Sequence, residues 1–167
     1  MTTGRFHIAQ VNIGLPVAPI DGPALAEFMA LLDPVNAVAD RSPGFVWRLQ
    51  TDEGNATSIP VLGDERLIVN MSVWESIDRL ADFVYRSGDH LAVMRRRREW
   101  FERIEVFMAL WWVPAGQRPT VGEAEERLEH LRAHGPTAFA FTFRQRFPAP
   151  DADRAPELDE ALLDCLA

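Results

Sequence analysis

At 167 residues, with 47% apolar and 25% charged side chains, the chain has the size and balance of one folded domain, which excludes wholesale disorder and a second independent core. Its net charge of −8 excludes general nucleic-acid affinity, because holding phosphates takes a basic surface whose counterions can be released. Cys165 is the one cysteine, so neither an intrachain disulfide nor a thiolate metal cluster is available.

The opening MTTGRFHIAQ lacks the charged start and apolar core of a secretory signal. No uninterrupted apolar run approaches the roughly 20 residues that cross a bilayer. A cytoplasmic location without a membrane partner is expected. Residues 6–13 read as a first strand, with Phe6, Ile8, Gln10 and Asn12 on one face and His7, Ala9, Val11 and Ile13 on the other. A proline-rich connection leads to a helix from Pro23, whose stripe is Leu25, Phe28, Met29 and Leu32; Pro34 interrupts it or begins a second short helix. Residues 45–50 form a second strand in which Phe45, Trp47 and Leu49 alternate with Val46, Arg48 and Gln50. A polar loop follows, and residues 67–74, LIVNMSVW, form the third strand, with Asn70, Ser72 and Trp74 on one side.

Glu75 opens a helix carrying Ile77, Leu80, Ala81 and Val84. Ser87-Gly88-Asp89 breaks it, and Asp89 caps a further helix from His90 to about Arg103. Residues 106–113 are the fourth strand. The order strand, helix, strand, strand, helix pair, strand is α+β: a ferredoxin-like antiparallel sheet with helices on one face. The other face, which includes Trp47 or its neighbours and one of Trp111 and Trp112, stays exposed unless something covers it. A partner subunit is the usual remedy, so a homodimer is expected. Past Pro114, Thr120 and Glu123 make a capping-box pattern for a helix with Val121, Ala124, Leu128 and Leu131 on its apolar stripe. Residues 138–143 read as a fifth strand. The domain is taken as residues 1–147, with a tail over 148–167 that ends in a short helix at 158–166.

The polar and aromatic strand face beside His90 suggests a pocket wall. His90 has the ring to move a proton near neutral pH or to ligate iron. Asn12, Asn70 and Ser72 are hydrogen-bonding groups among apolar neighbours, so each is satisfied within the fold or aimed at a ligand. Trp74 and Trp112 suit stacking on an aromatic ligand or packing in the core, with Trp47 a further candidate for the wall. Arg48 offers a cation for a carboxylate or phenolate. Residues 95–98 are four arginines spread around a helix axis, read as a solvated face pairing with Glu99 and Glu102. His130 and His134 are four apart, but nothing completes a metal site, and no metal is expected. The absence of a GxSxG motif, a Cys–His pair and a phosphate-binding glycine loop removes the hydrolase and nucleotide-binding classes.

The combination Asn70-Met71-Ser72-Val73-Trp74-Glu75, Phe83-Val84-Tyr85, His90, Met94-Arg95-Arg96-Arg97-Arg98-Glu99-Trp100-Phe101 and Ala109-Leu110-Trp111-Trp112-Val113-Pro114-Ala115-Gly116 resembles the DUF3291 domain family. Pro119-Thr120-Val121, Glu126-Arg127-Leu128, Leu131 and Gly135-Pro136 are similar to it as well, so the resemblance runs over residues 5–147. It implies a dimeric α/β barrel related to the antibiotic-biosynthesis monooxygenases. That wider group contains cofactor-independent oxygenases of polyketide-like aromatics and haem-degrading enzymes that use a first-strand asparagine, a tryptophan ending the third strand and a histidine on the next helix. By position these are Asn12 (or Gln10), Trp74 and His90. The expectation is a small-molecule-binding protein with oxygenase-like chemistry on a small aromatic molecule, without a cofactor. A haem-binding or haem-degrading protein and a non-catalytic binding module are the alternatives.

Overall fold

A computed structural model describes residues 5–52 and 54–152. Four strands, β1 (Phe6–Gly14), β2 (Phe45–Arg48), β3 (Ile68–Trp74) and β4 (Met108–Pro114), form one sheet in the order β2-β3-β1-β4. Every neighbouring pair is antiparallel. Helix α1 (Ala26–Arg41) crosses from β1 to β2, and α2 (Ile77–Arg86), α3 (Gly88–Arg95) and α4 (Arg97–Trp100) lie between β3 and β4. This is the ferredoxin-like arrangement expected from the element order. Among the described residues, no helix is long and apolar enough to cross a membrane. Cys165 and the helix expected at 158–166 lie outside the described residues.

The crossover helices pack on one sheet face, where Ala39 of α1 and Leu80 of α2 meet Ile8, Trp74 and Leu110. The opposite face is not bare. Helix α5 (Val121–His134) buries Ala124, Leu128 and Leu131 against it, and Ala56 and Val61 join from the long β2–β3 connection. Their partners are Ala9, Val11 and Ile13 of β1, Met71 and Val73 of β3, and Ala109, Trp111 and Val113 of β4. The chain therefore supplies its own cover, and the argument for a partner subunit from an uncovered sheet loses its premise. Thr120 caps α5 by accepting from the Glu123 amide at 3.1 Å. The Glu123 carboxylate takes the Trp111 indole N–H at 3.3 Å, tying the helix to the sheet.

Several local expectations are corrected. Helix α1 runs unbroken through Pro34; Pro34 and Ala30 are both exposed, so water serves the carbonyl that loses its amide partner. The helix expected from His90 to Arg103 is in fact α3 and α4, divided at Arg96. It ends at Phe101 because the chain turns extended there to pair with Pro16, with the Glu102 amide donating to the Leu15 carbonyl. Asp89 lies in the first turn of α3 and does not cap it. The fifth strand over 138–143 is a single bridge between Phe141 and Leu110, since a turn closed by Thr137 and Ala140 takes the preceding residues off the β4 edge.

Leu128 is fully buried at the centre of the α5 contact. Leu128→Ala is expected to lose about 2–5 kcal/mol of stability, measured by urea denaturation. A loss under 1 kcal/mol would contradict α5 as the permanent cover of this face.

Candidate functional site

The sheet face beneath α1, α2 and α3 carries an in-register polar row. Gln10 stands opposite Ser72, and Asn12 opposite Asn70, placing the four side chains within reach of one another. Gln10 is only 6% exposed. Its Nε2 donates to Asn70 Oδ1 at 2.7 Å and to Ser72 Oγ at 2.9 Å. Asn12 Nδ2 donates to Gln10 Oε1 at 3.3 Å and to Asn70 Oδ1 at 3.4 Å. The Trp74 indole N–H donates to Ser72 Oγ at 2.9 Å.

The pattern decides what remains for a ligand. Ser72 Oγ accepts twice, which occupies both lone pairs and leaves its proton to be donated outward. Asn70 Oδ1 also accepts twice, so its NH₂ turns away from the row. Asn12 uses its NH₂ and keeps its carbonyl oxygen. Two donors and one acceptor thus face the space above the sheet. That space is a cavity of about 180 Å³ whose lining includes Gln10, Asn12, Asn70, Ser72, Trp74 and His90.

Aromatic rings form one end. Trp74, 1% exposed, stacks on Phe83 at 5.1 Å between centroids, and Phe83 packs against His90 at 4.8 Å. His90 therefore shares the cavity with the polar row but stands one ring beyond Trp74. Its Nδ1 lies 3.0 Å from the Val84 carbonyl oxygen. A carbonyl only accepts, so Nδ1 carries the proton and Nε2 presents a lone pair. Burial pushes the His90 pKa below the usual histidine value, with the Val84 carbonyl opposing this more weakly, and the neutral base is the form held near pH 7.

The other sequence candidates divide. Arg48 lines the cavity, but its Nε and Nη2 grip both Asp40 oxygens, at 2.7 and 3.3 Å, and its Nη1 donates to the Gly54 carbonyl. Its charge is spent on holding the β2–β3 connection to α1. Trp47 lies on the opposite sheet face, because a bulge after Phe45 puts Trp47 beside Val73 and not beside Trp74. Trp112 is on the cavity face but outside the cavity: its indole N–H donates to the Phe147 carbonyl at 2.9 Å, and Phe141 packs beside it. His130 bonds Thr137 Oγ1 at 2.7 Å.

Two site residues escaped the sequence reading. Gln10, weighed only as a substitute for Asn12, is the hub of the network, and its central place on the mixed face of β1 was the available signal. Arg97, read as part of a solvated run, lines the cavity. Arg96 takes the expected surface role, pairing with Glu99 and with Glu27 of α1.

A family model described as a domain of unknown function (DUF3291) matches residues 7–157. No curated protein matches the sequence. Among solved structures, the chain is similar to SnoaB, a cofactor-independent oxygenase from Streptomyces nogalater, at 20% identity and a TM-score of 0.41, covering 67% of this chain and 95% of that one. Rv0793 from Mycobacterium tuberculosis is similar at 16% identity and a TM-score of 0.44, over 68% and 99% of the two chains. PA3566 from Pseudomonas aeruginosa is similar at 12% identity and a TM-score of 0.46, over 70% and 100%.

Two measurements probe the site's construction. Ser72→Ala strands the N–H groups of Trp74 and Gln10 and should cost about 1–3 kcal/mol, read by urea denaturation followed through tryptophan fluorescence; an unchanged midpoint would contradict the network. His90, neutral when folded, contributes its full share above the ordinary pKa of 6.5. That share is lost as the pH falls toward the depressed folded value, because the unfolded chain binds the proton first. The stability difference between wild type and His90→Gln should shift against wild type from about pH 7.5 to about pH 5, and a pH-independent difference would show that His90 is not held neutral.

Proposed function

Since the chain belongs to the DUF3291 family, whose description names no reaction, its chemistry must be read from the cavity, and we propose that it binds a small fused-ring aromatic molecule and oxidises it with dioxygen. The observation that carries this reading is the pairing, in one cavity, of a neutral histidine with a polar row whose outward donors await an oxygen atom. A ligand edge bearing a carbonyl oxygen matches the Ser72 hydroxyl and the Asn70 amide, and a neighbouring hydroxyl matches Asn12 Oδ1. The aromatic end excludes water from the ring system.

The chemistry follows from these roles. His90 Nε2 takes a proton from a ring CH₂ conjugated to the carbonyl through the fused rings, and the enolate oxygen that results is stabilised by the Ser72 and Asn70 donors. The electron-rich carbon gives electrons to dioxygen and forms a C–O bond. The proton on His90 returns to the peroxide, and loss of water leaves a second carbonyl where the CH₂ had been. One dioxygen is consumed and one water released. The chain's part is to position the substrate, exclude solvent and move one proton.

The residues do not suit haem. His90 has the tautomer of an iron ligand, but a cavity of about 180 Å³ lies below the roughly 300–1,000 Å³ of pockets that enclose drug-sized ligands, and a porphyrin is at least drug-sized. No step runs through iron.

Oxygen uptake with anthrone as probe tests the proposal. Wild type should accelerate uptake, with anthraquinone as product. His90→Gln should lower the accelerated rate by about 10²-fold or more, and Asn70→Ala should lower it without changing the fold seen by circular dichroism. No acceleration by wild type, or a full rate in His90→Gln, would overturn the reading.

A further inference from the structure

We infer that the natural ligand of this cavity carries a carboxylate, and that Arg97 holds it at the end of the polar row away from Trp74. The inference rests on the cavity being a small-molecule site and adds the substrate class. Arg97 Nη2 donates to the Ile13 carbonyl at 3.0 Å, and its guanidinium lies over the rings of Phe107 and Phe101, 4.5 and 5.4 Å from their centroids. These contacts fix the group at the start of α4, in the lining of the cavity. No carboxylate pairs with it among the described residues. A guanidinium has five N–H donors, and only one is used. The others are not sealed away either, since the buried unpaired side-chain atoms among the described residues belong to His7 and Arg127. They are therefore open donors on a fixed cation in a largely apolar room.

The cavity's other arginine, Arg48, is neutralised by Asp40, so the lining offers one uncompensated positive charge. One such charge matches a monoanion and falls short of a phosphate, and the planar fork matches a carboxylate. The Ile13 carbonyl lies three residues along β1 from Gln10, roughly 10 Å at about 3.4 Å per residue. The ligand is thus a ring system over Gln10 and Ser72 with an acidic side arm toward Arg97. Long-range attraction does not explain a preference for acids, because the protein's net charge is −8; the preference belongs to this residue.

Calorimetric titration of the full chain at about pH 7.5, where a carboxylic acid is ionised, tests it with 3-(2-naphthyl)propanoate and the corresponding carboxamide. Wild type should bind the acid at least about tenfold more tightly than the amide. Arg97→Gln should abolish that preference by weakening the acid while leaving the amide within about twofold, and Arg97→Lys should keep part of it. Equal affinities in wild type, or a preference that survives in Arg97→Gln, would overturn the assignment and leave the cavity reading standing. Binding of neither compound would overturn both. Should Arg97→Gln fail to fold, the wild-type comparison and Arg97→Lys decide.

Discussion

The buried amide of Gln10 constrains the rest of the site. An amide in the middle of a sheet loses its water, and an unpaired donor or acceptor there costs about 1–3 kcal/mol. Gln10 meets that demand with both of its N–H groups and its carbonyl oxygen, bonding Asn70, Ser72 and Asn12. Satisfying Gln10 in turn dictates which atoms its neighbours have left. The Ser72 proton, the Asn70 amide N–H groups and the Asn12 oxygen face the cavity because their other sites are committed inward. The site's preference for a ligand oxygen is thus a by-product of solving a burial problem, and it is rigid for the same reason.

The central strand β1 works on both faces with different materials. Ala9, Val11 and Ile13 are dry and packed beneath α5, so that side resists deformation. Gln10 and Asn12 point the other way, into open space bounded by helices. A strand clamped from behind holds the polar row to its register, which a donor array needs in order to favour one ligand geometry. Arg48 extends the clamp by joining Asp40 of α1 to the Gly54 carbonyl, so the cavity wall and the cover of the opposite face share one anchor. Gly14 completes the arrangement: a Cβ there would sit 2.7 Å from the Phe101 ring, and its absence lets Phe101 and the cation beside it close on the end of β1.

The four-arginine run shows why position along a helix does not fix the role of a charge. Arg96 and Arg97 are adjacent, yet one meets two carboxylates at the surface and the other is drawn to the end of β1 by a carbonyl and two rings. Periodicity treats the run as one continuous helix and spreads its members around the axis. The break at Arg96 resets that geometry, and just beyond it the chain leaves the helix to pair Phe101 with Pro16, residues 85 positions apart. Trp47 and Trp112 drop out of the cavity wall for related reasons: a bulge turns Trp47 off the face that Phe45 shares with Trp74, and a segment beyond α5 covers Trp112. Neither event leaves a mark in the alternation of nearby residues.

By itself the sequence determined the order of the elements, the antiparallel ferredoxin-like plan, the faces of β1 and β3, and the stripe and cap of α5. These follow from local rules, two-residue alternation in strands, three-to-four-residue spacing in helices and a capping side chain, whose partners lie within a few positions. Asn12, Asn70, Ser72 and Trp74 were legible as a set because strand pairing preserves alternation. Tertiary structure alone decided that α5 covers the second sheet face, that Gln10 is the hub, that Arg48 is spent and that Arg97 is open. Each of those depends on which distant group arrives to pair with a polar atom, and a local pattern holds no information about that encounter.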